Sequence, residues 1–129
     1  MPSPIFTPED HIQRVRRIAL ALPESTEKLS HGEPTFFVRK KVFVMFSNNH
    51  HNDGRIAIWI PVPIGQQPIM IAEAPEIYFK PPYVGVKGWI GVQLSLINNE
   101  ILTTLIRQAW KLTAPRALHP VAPQTRPSL

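Results

Sequence analysis

Positive charge gathers at two short stretches of this chain. Thr35–Arg39 and Val42–Phe46 are rich in β formers, and only Lys40 and Lys41 separate them. That pattern predicts a tight hairpin with Arg39, Lys40 and Lys41 at its tip. A protruding basic hairpin suits phosphate binding, because ammonium and guanidinium groups neutralise phosphates and release counterions. The competing reading is a solvated turn whose charges discourage edge-to-edge aggregation. The second cluster is Lys80, Tyr83, Lys87 and Trp89, in a segment where Gly85 and Gly88 permit a tight backbone path. Two lysines beside aromatic rings can hold a phosphate and stack on a base. Equally, Trp89 can anchor a structural turn in the core with Lys87 in solvent.

The histidines offer weaker chemistry. His31 precedes Gly32 and lies near Pro34, as a base, part of an anion site, or a turn-shaping residue bonded to backbone. His50, His51 and Asp53 fall in the loop Asn48–Gly54. Their spacing matches no helical metal pair and the chain has no cysteine, so we expect a solvated loop and no metal. No nucleophile elbow, phosphate loop or dinucleotide fingerprint occurs, so no catalytic residue and no cofactor is assigned. Signatures of helix–turn–helix, zinc-finger and RRM modules are missing too.

Composition narrows the class. The 129 residues fit one domain, and 43% apolar content is enough to build a core without metals or disulfides. Fourteen Lys and Arg against nine Asp and Glu leave a net charge of +5, which permits a polyanionic partner without demanding one. The N-terminus shows no signal-peptide pattern and no stretch approaches the roughly 20 apolar residues of a membrane span. A cytoplasmic protein without membrane contact is the expectation.

The elements that must position these residues follow from periodicity and punctuation. Thr7 caps a helix that Pro8 enters and Pro23 ends, with Ile12, Val15, Ile18, Ala19 and Leu22 on one face. Arg14, Arg16 and Arg17 fall largely off that stripe. Lys28–His31 reads as a short edge strand, Arg55–Ile60 as the strand after the loop, and Gln66–Ala74 as a short helix despite Pro68. Glu76–Lys80 looks extended, and Trp89–Leu94 alternates like a half-buried strand. Asn98 caps a last helix to about Thr113, with Ile101, Leu102, Leu105, Ile106, Ala109 and Leu112 as its stripe. Short connections favour hairpins over parallel crossovers. We therefore expect an α+β, two-layer fold: an antiparallel sheet with the N- and C-terminal helices on one face. Residues 1–114 would form the single domain and 115–129, with four prolines, a flexible tail.

At Ser30-His-Gly-Glu-Pro-Thr-Phe36, Phe37-Val-Arg-Lys-Lys-Val-Phe43 and Tyr83-Val-Gly-Val-Lys-Gly-Trp89 the chain resembles the MmcQ/YjbR family. The opening Ala19-Leu-Ala-Leu-Pro23 and the closing helix fit as well, so the resemblance covers roughly residues 9–114. It implies the α+β fold and, from the family's double-wing motif, binding of duplex DNA with low sequence specificity. The wings would be the hairpin tip and the Lys80–Trp89 segment, with Arg14, Arg16 and Arg17 as accessories. Two other readings stay open: a protein-interaction module using a bare sheet face or edge, and a small-molecule site around His31, Tyr83 and Trp89.

Overall fold

The computed structural model describes residues 6–119. The first helix, α1 (Pro8–Ala19), starts at a reciprocal cap. The Thr7 hydroxyl accepts from the Asp10 N–H at 3.1 Å, and the Asp10 carboxylate accepts from the Thr7 N–H at 2.9 Å. Six strands follow in one sheet: β1 (Ser25–Ser30), β2 (Glu33–Val38), β3 (Lys41–Asn48), β4 (Ile56–Ile60), β5 (Tyr78–Phe79) and β6 (Ile90–Gln93). Their order is β1-β2-β3-β4-β6-β5 and every pairing is antiparallel. The helix α2 (Gln66–Glu73) precedes β5, and α3 (Asn99–Thr113) closes the fold. The fold is α+β, as the patterning predicts.

One face of the sheet carries the main core. Phe36, Val38, Val44, Phe46, Ile58, Ile60, Ile90 and Val92 pack beneath α1 and α3. A bulge lets β3 contribute two adjacent residues: Phe36 pairs with Val44 but Phe37 with Val42. The extra residue, Phe43, is turned inward beside Val44, and both are fully buried. From α1 come Ile12, Val15 and Ala19; from α3 come Leu102, Leu105, Ile106, Ala109 and Trp110. Each large apolar side chain taken from water this way contributes about 1.5–3 kcal/mol.

Several boundaries differ from the sequence reading. The hairpin turn is Arg39–Lys40, because Lys41 already pairs with Val38. Arg39 takes a left-handed φ of 56° there, which supplies the positive φ that no Gly or Asn is present to provide. On α3, Ile101 and Leu112 face solvent and Trp110 is buried instead, donating its indole N–H to the Pro23 carbonyl at 3.0 Å. Pro68 is tolerated in α2 because it lies in the first turn, where its missing N–H would have no intrahelical partner. Residues 116–118 make a short 3-10 turn on the domain: Leu118 packs on the core and the His119 ring lies 5.7 Å from Trp110. The rest of the Pro-rich tail lies outside the described residues.

The second face of the sheet is partly roofed by residues 80–89. A row of paired residues crosses it, Thr35–Met45–Trp59–Gly91–Phe79. Ala57, Trp59 and Phe79 form a smaller cluster there with Met45, Val84 and Trp89. Among the described residues, no helix is long and apolar enough to cross a membrane.

Candidate functional site

The predicted basic residues separate into free and engaged ones. Arg39 makes a two-pronged ion pair with Glu24, at 2.9 and 3.2 Å, and the pair holds the Glu24 carboxyl below its ordinary range. Both side chains are about half exposed, so the pair fixes the turn more than it stabilises the fold. Lys40 and Lys41 are exposed and make no ion pair among the described residues. Of the three α1 arginines, Arg14 donates to the carbonyls of Leu94 and Ile97 at 2.9 and 2.7 Å and to the Asn99 side chain at 2.7 Å. Arg16 grips Glu27 of β1 with two 2.7 Å bonds. Only Arg17 of the three is exposed. Arg14 and Arg16 are structural clamps, because their donors are already satisfied by protein.

The Lys80–Trp89 segment is held tightly. A Cβ built on Gly85 would stand 2.7 Å from Cγ of Lys80, so only glycine lets the lysine stem lie against this backbone. The Gln67 side-chain amide donates to the carbonyls of Gly85 and Trp89, at 2.8 and 2.6 Å, and ties the segment to α2. Trp89 is half-buried in the small cluster and acts as the anchor of the loop. Lys80 and Lys87 are exposed and, among the described residues, unpaired. The segment leaves the sheet after Phe79 and rejoins it at Ile90, the residue opposite Ile60. The β2–β3 turn lies at this same end of the sheet, since β3 runs away from it towards Asn48 opposite Ile56.

Tyr83 behaves differently from its neighbours. Its backbone sits at φ 62°, ψ −66°, and the Val84 N–H donates to the Pro82 carbonyl at 2.6 Å. This is a γ-turn of the rare, strained hand. It directs the phenol back across the sheet, to a 3.2 Å contact with the His51 ring. The Tyr83 ring lies 5.7 Å from His50 and 6.4 Å from Trp59, and His50 meets Trp59 edge to face at 5.3 Å.

These rings wall a cavity of about 420 Å³. Glu33, Thr35, Met45, Ser47 and Trp59 come from the sheet itself, His31 from the β1–β2 turn, and His50 and Tyr83 from the loops. His31 and Tyr83 therefore come together, as one of the sequence readings has it, but the indole between them is Trp59 and not Trp89. Ser47 Oγ, Trp59 Nε1 and His50 Nε2 are buried and, among the described residues, have no hydrogen-bond partner. Among the described residues, no three His, Cys, Asp or Glu side chains are placed to hold a metal ion.

Ser47, His50 and Trp59 escape sequence reasoning for definite reasons. Ile56–Ile60 is an unbroken apolar run, so it carries no alternation to mark Trp59 as facing away from the helices. Ser47 ends a strand and His50 lies in a polar loop, where polarity is the default. The one available signal is a serine inside an otherwise apolar β3.

The YjbR family model matches residues 20–112, and the chain belongs to that family. A solved structure with a similar fold is the Deinococcus radiodurans protein DR2400, described as a DUF419 domain. It is 18% identical, with a TM-score of 0.65, over 84% of this chain and 81% of that one. Comparison with curated proteins gives no match.

Proposed function

We propose that this domain binds duplex DNA through its phosphates, with little sequence preference, using Lys40 in the β2–β3 turn, Lys41 at the start of β3, and Lys80 and Lys87 in the segment between β5 and β6. The supporting observation is that four exposed lysines, without an ion pair among the described residues, belong to a hairpin tip and a β5–β6 segment that both lie at one end of the sheet. Lysine ammonium groups suit phosphate oxygens as mobile point charges and carry no base-reading geometry. Arg39 serves the turn and Trp89 anchors the loop, so both position the lysines in this reading. Tyr83 shapes the roof of the cavity. A cytoplasmic location belongs to the same proposal.

Titration against duplex DNA at several salt concentrations tests it. Log affinity is expected to fall linearly with log salt, with a slope of about −0.9 for each phosphate neutralised. Absence of binding at low salt, or binding indifferent to replacement of the four lysines, would overturn the reading.

A further inference from the structure

We propose that the cavity on the open face of the sheet is a binding site for a small neutral ring compound bearing a carbonyl-type oxygen. The inference is independent of the DNA reading. The lysines belong to the sheet end where β4 finishes, whereas Ser47, Glu33 and His50 belong to the opposite end, where β3 finishes.

The volume of about 420 Å³ lies in the range of small-molecule sites. The floor is Met45 and the Trp59 indole, and the Tyr83 and His50 rings wall it, so a flat apolar body fits. Three buried polar atoms without a partner among the described residues define what that body must carry. Ser47 is 3% exposed and Trp59 is 4% exposed, so neither is a surface group awaiting bulk water. An indole N–H can only donate, and the Ser47 hydroxyl and a His50 Nε2–H are able to donate beside it. The ligand must therefore accept. Among the described residues no Lys or Arg lines the cavity, while the Glu33 carboxylate does, with one oxygen accepting from the Asn48 N–H at 3.1 Å. A neutral carbonyl, as in an amide or lactam, suits these walls better than a carboxylate or phosphate.

The loops around the cavity carry unusual backbone at the two lining residues His31 and Tyr83 and at their neighbours. His31, Asn49, His51 and Tyr83 all hold positive φ, between 49° and 62°. Tyr83 is the least ordinary of them, a bulky residue in a strained γ-turn that aims its ring at the cavity.

The experiment is a titration of the ¹⁵N-labelled full chain with benzamide, benzoate and toluene, following the indole N–H signals of its three tryptophans. Trp59→Phe identifies the Trp59 signal. Benzamide is expected to shift that signal saturably and to leave Trp110, in the other core, unmoved. Toluene should bind at least tenfold more weakly for want of an acceptor, and benzoate more weakly than benzamide because of Glu33. Ser47→Ala, which removes one hydroxyl, should weaken benzamide several-fold and leave toluene unchanged. It decides the matter alone if Trp59→Phe fails to fold. The proposal is overturned if benzamide causes no saturable change, if all three indoles move alike, if Ser47→Ala leaves benzamide affinity unchanged, or if toluene or benzoate binds as tightly as benzamide.

Discussion

The outer end of the Phe79 ring lies over Gly91, its cross-strand partner, so closely that a Cβ on Gly91 would come within 2.4 Å of it. The guanidinium of Arg55 stands over the same ring, 4.0 Å from its centroid. The ring thus touches both bare backbone and a cation, and it belongs to the small cluster with Ala57 and Trp59.

Gly91→Ala must displace that ring. We expect a loss of about 1–3 kcal/mol, read as a lower denaturation midpoint with an unchanged m-value. Phe79→Ala costs stability by itself through lost burial. In its background, Gly91→Ala should cost far less, because nothing remains to collide with. A double-mutant cycle checks the coupling.

Arg14→Met should be more damaging than its partly exposed position suggests. It strips the Leu94 and Ile97 carbonyls of their donor, and we expect a cost of about 2–3 kcal/mol. Arg17→Ala, one turn away and exposed, should stay within about 0.5 kcal/mol. Urea melts of the two variants test the contrast.

His11 makes stability depend on pH. Its buried ring accepts from Arg14 through Nδ1 at 2.9 Å, and burial, reinforced by the Arg14 charge, lowers its pKa from the ordinary 6.5. Asp10 opposes the shift. The native state then binds fewer protons than the unfolded chain, so stability rises with pH across this window. The melting temperature should fall as pH drops below 6.5, before the carboxylates titrate. His11→Gln should flatten the profile between pH 7 and 5.

For the lysines, Lys40→Ala with Lys41→Ala should weaken binding to all duplex sequences alike and make the salt slope shallower by up to about two. Lys87→Ala should do so by about one. Glu24→Gln releases Arg39 and removes a negative charge beside the tip. It should strengthen binding modestly, measured as a lower Kd at fixed salt.

Most of the fold is legible in the residues. Caps at Thr7 and Asn98, the Pro, Gly and Asn breaks between most strands and the stripes on α1 and α3 place every α-helix and strand to within a few residues. Trp110 and Leu112 exchange roles because the stripe marks a face, while burial depends on what stands opposite: the Pro23 carbonyl waits for an indole N–H. The basic tips are legible too. Which of their charges are free is not, since pairs such as Arg39–Glu24 join residues 15 apart that only the sheet brings together. The cavity is hidden for the same reason: its walls come from four separate stretches of chain.

The clamp of Arg14 on the Leu94 and Ile97 carbonyls spans 80 and 83 positions, and Trp110 reaches back 87 to Pro23. The helical layer therefore closes only after the last strand exists. During synthesis, α1 and the β1–β4 meander must wait on the ribosome with their apolar face uncovered until α3 has emerged. The kinetic risk of this protein sits in that interval, and slow translation over residues 94–110 would lengthen it.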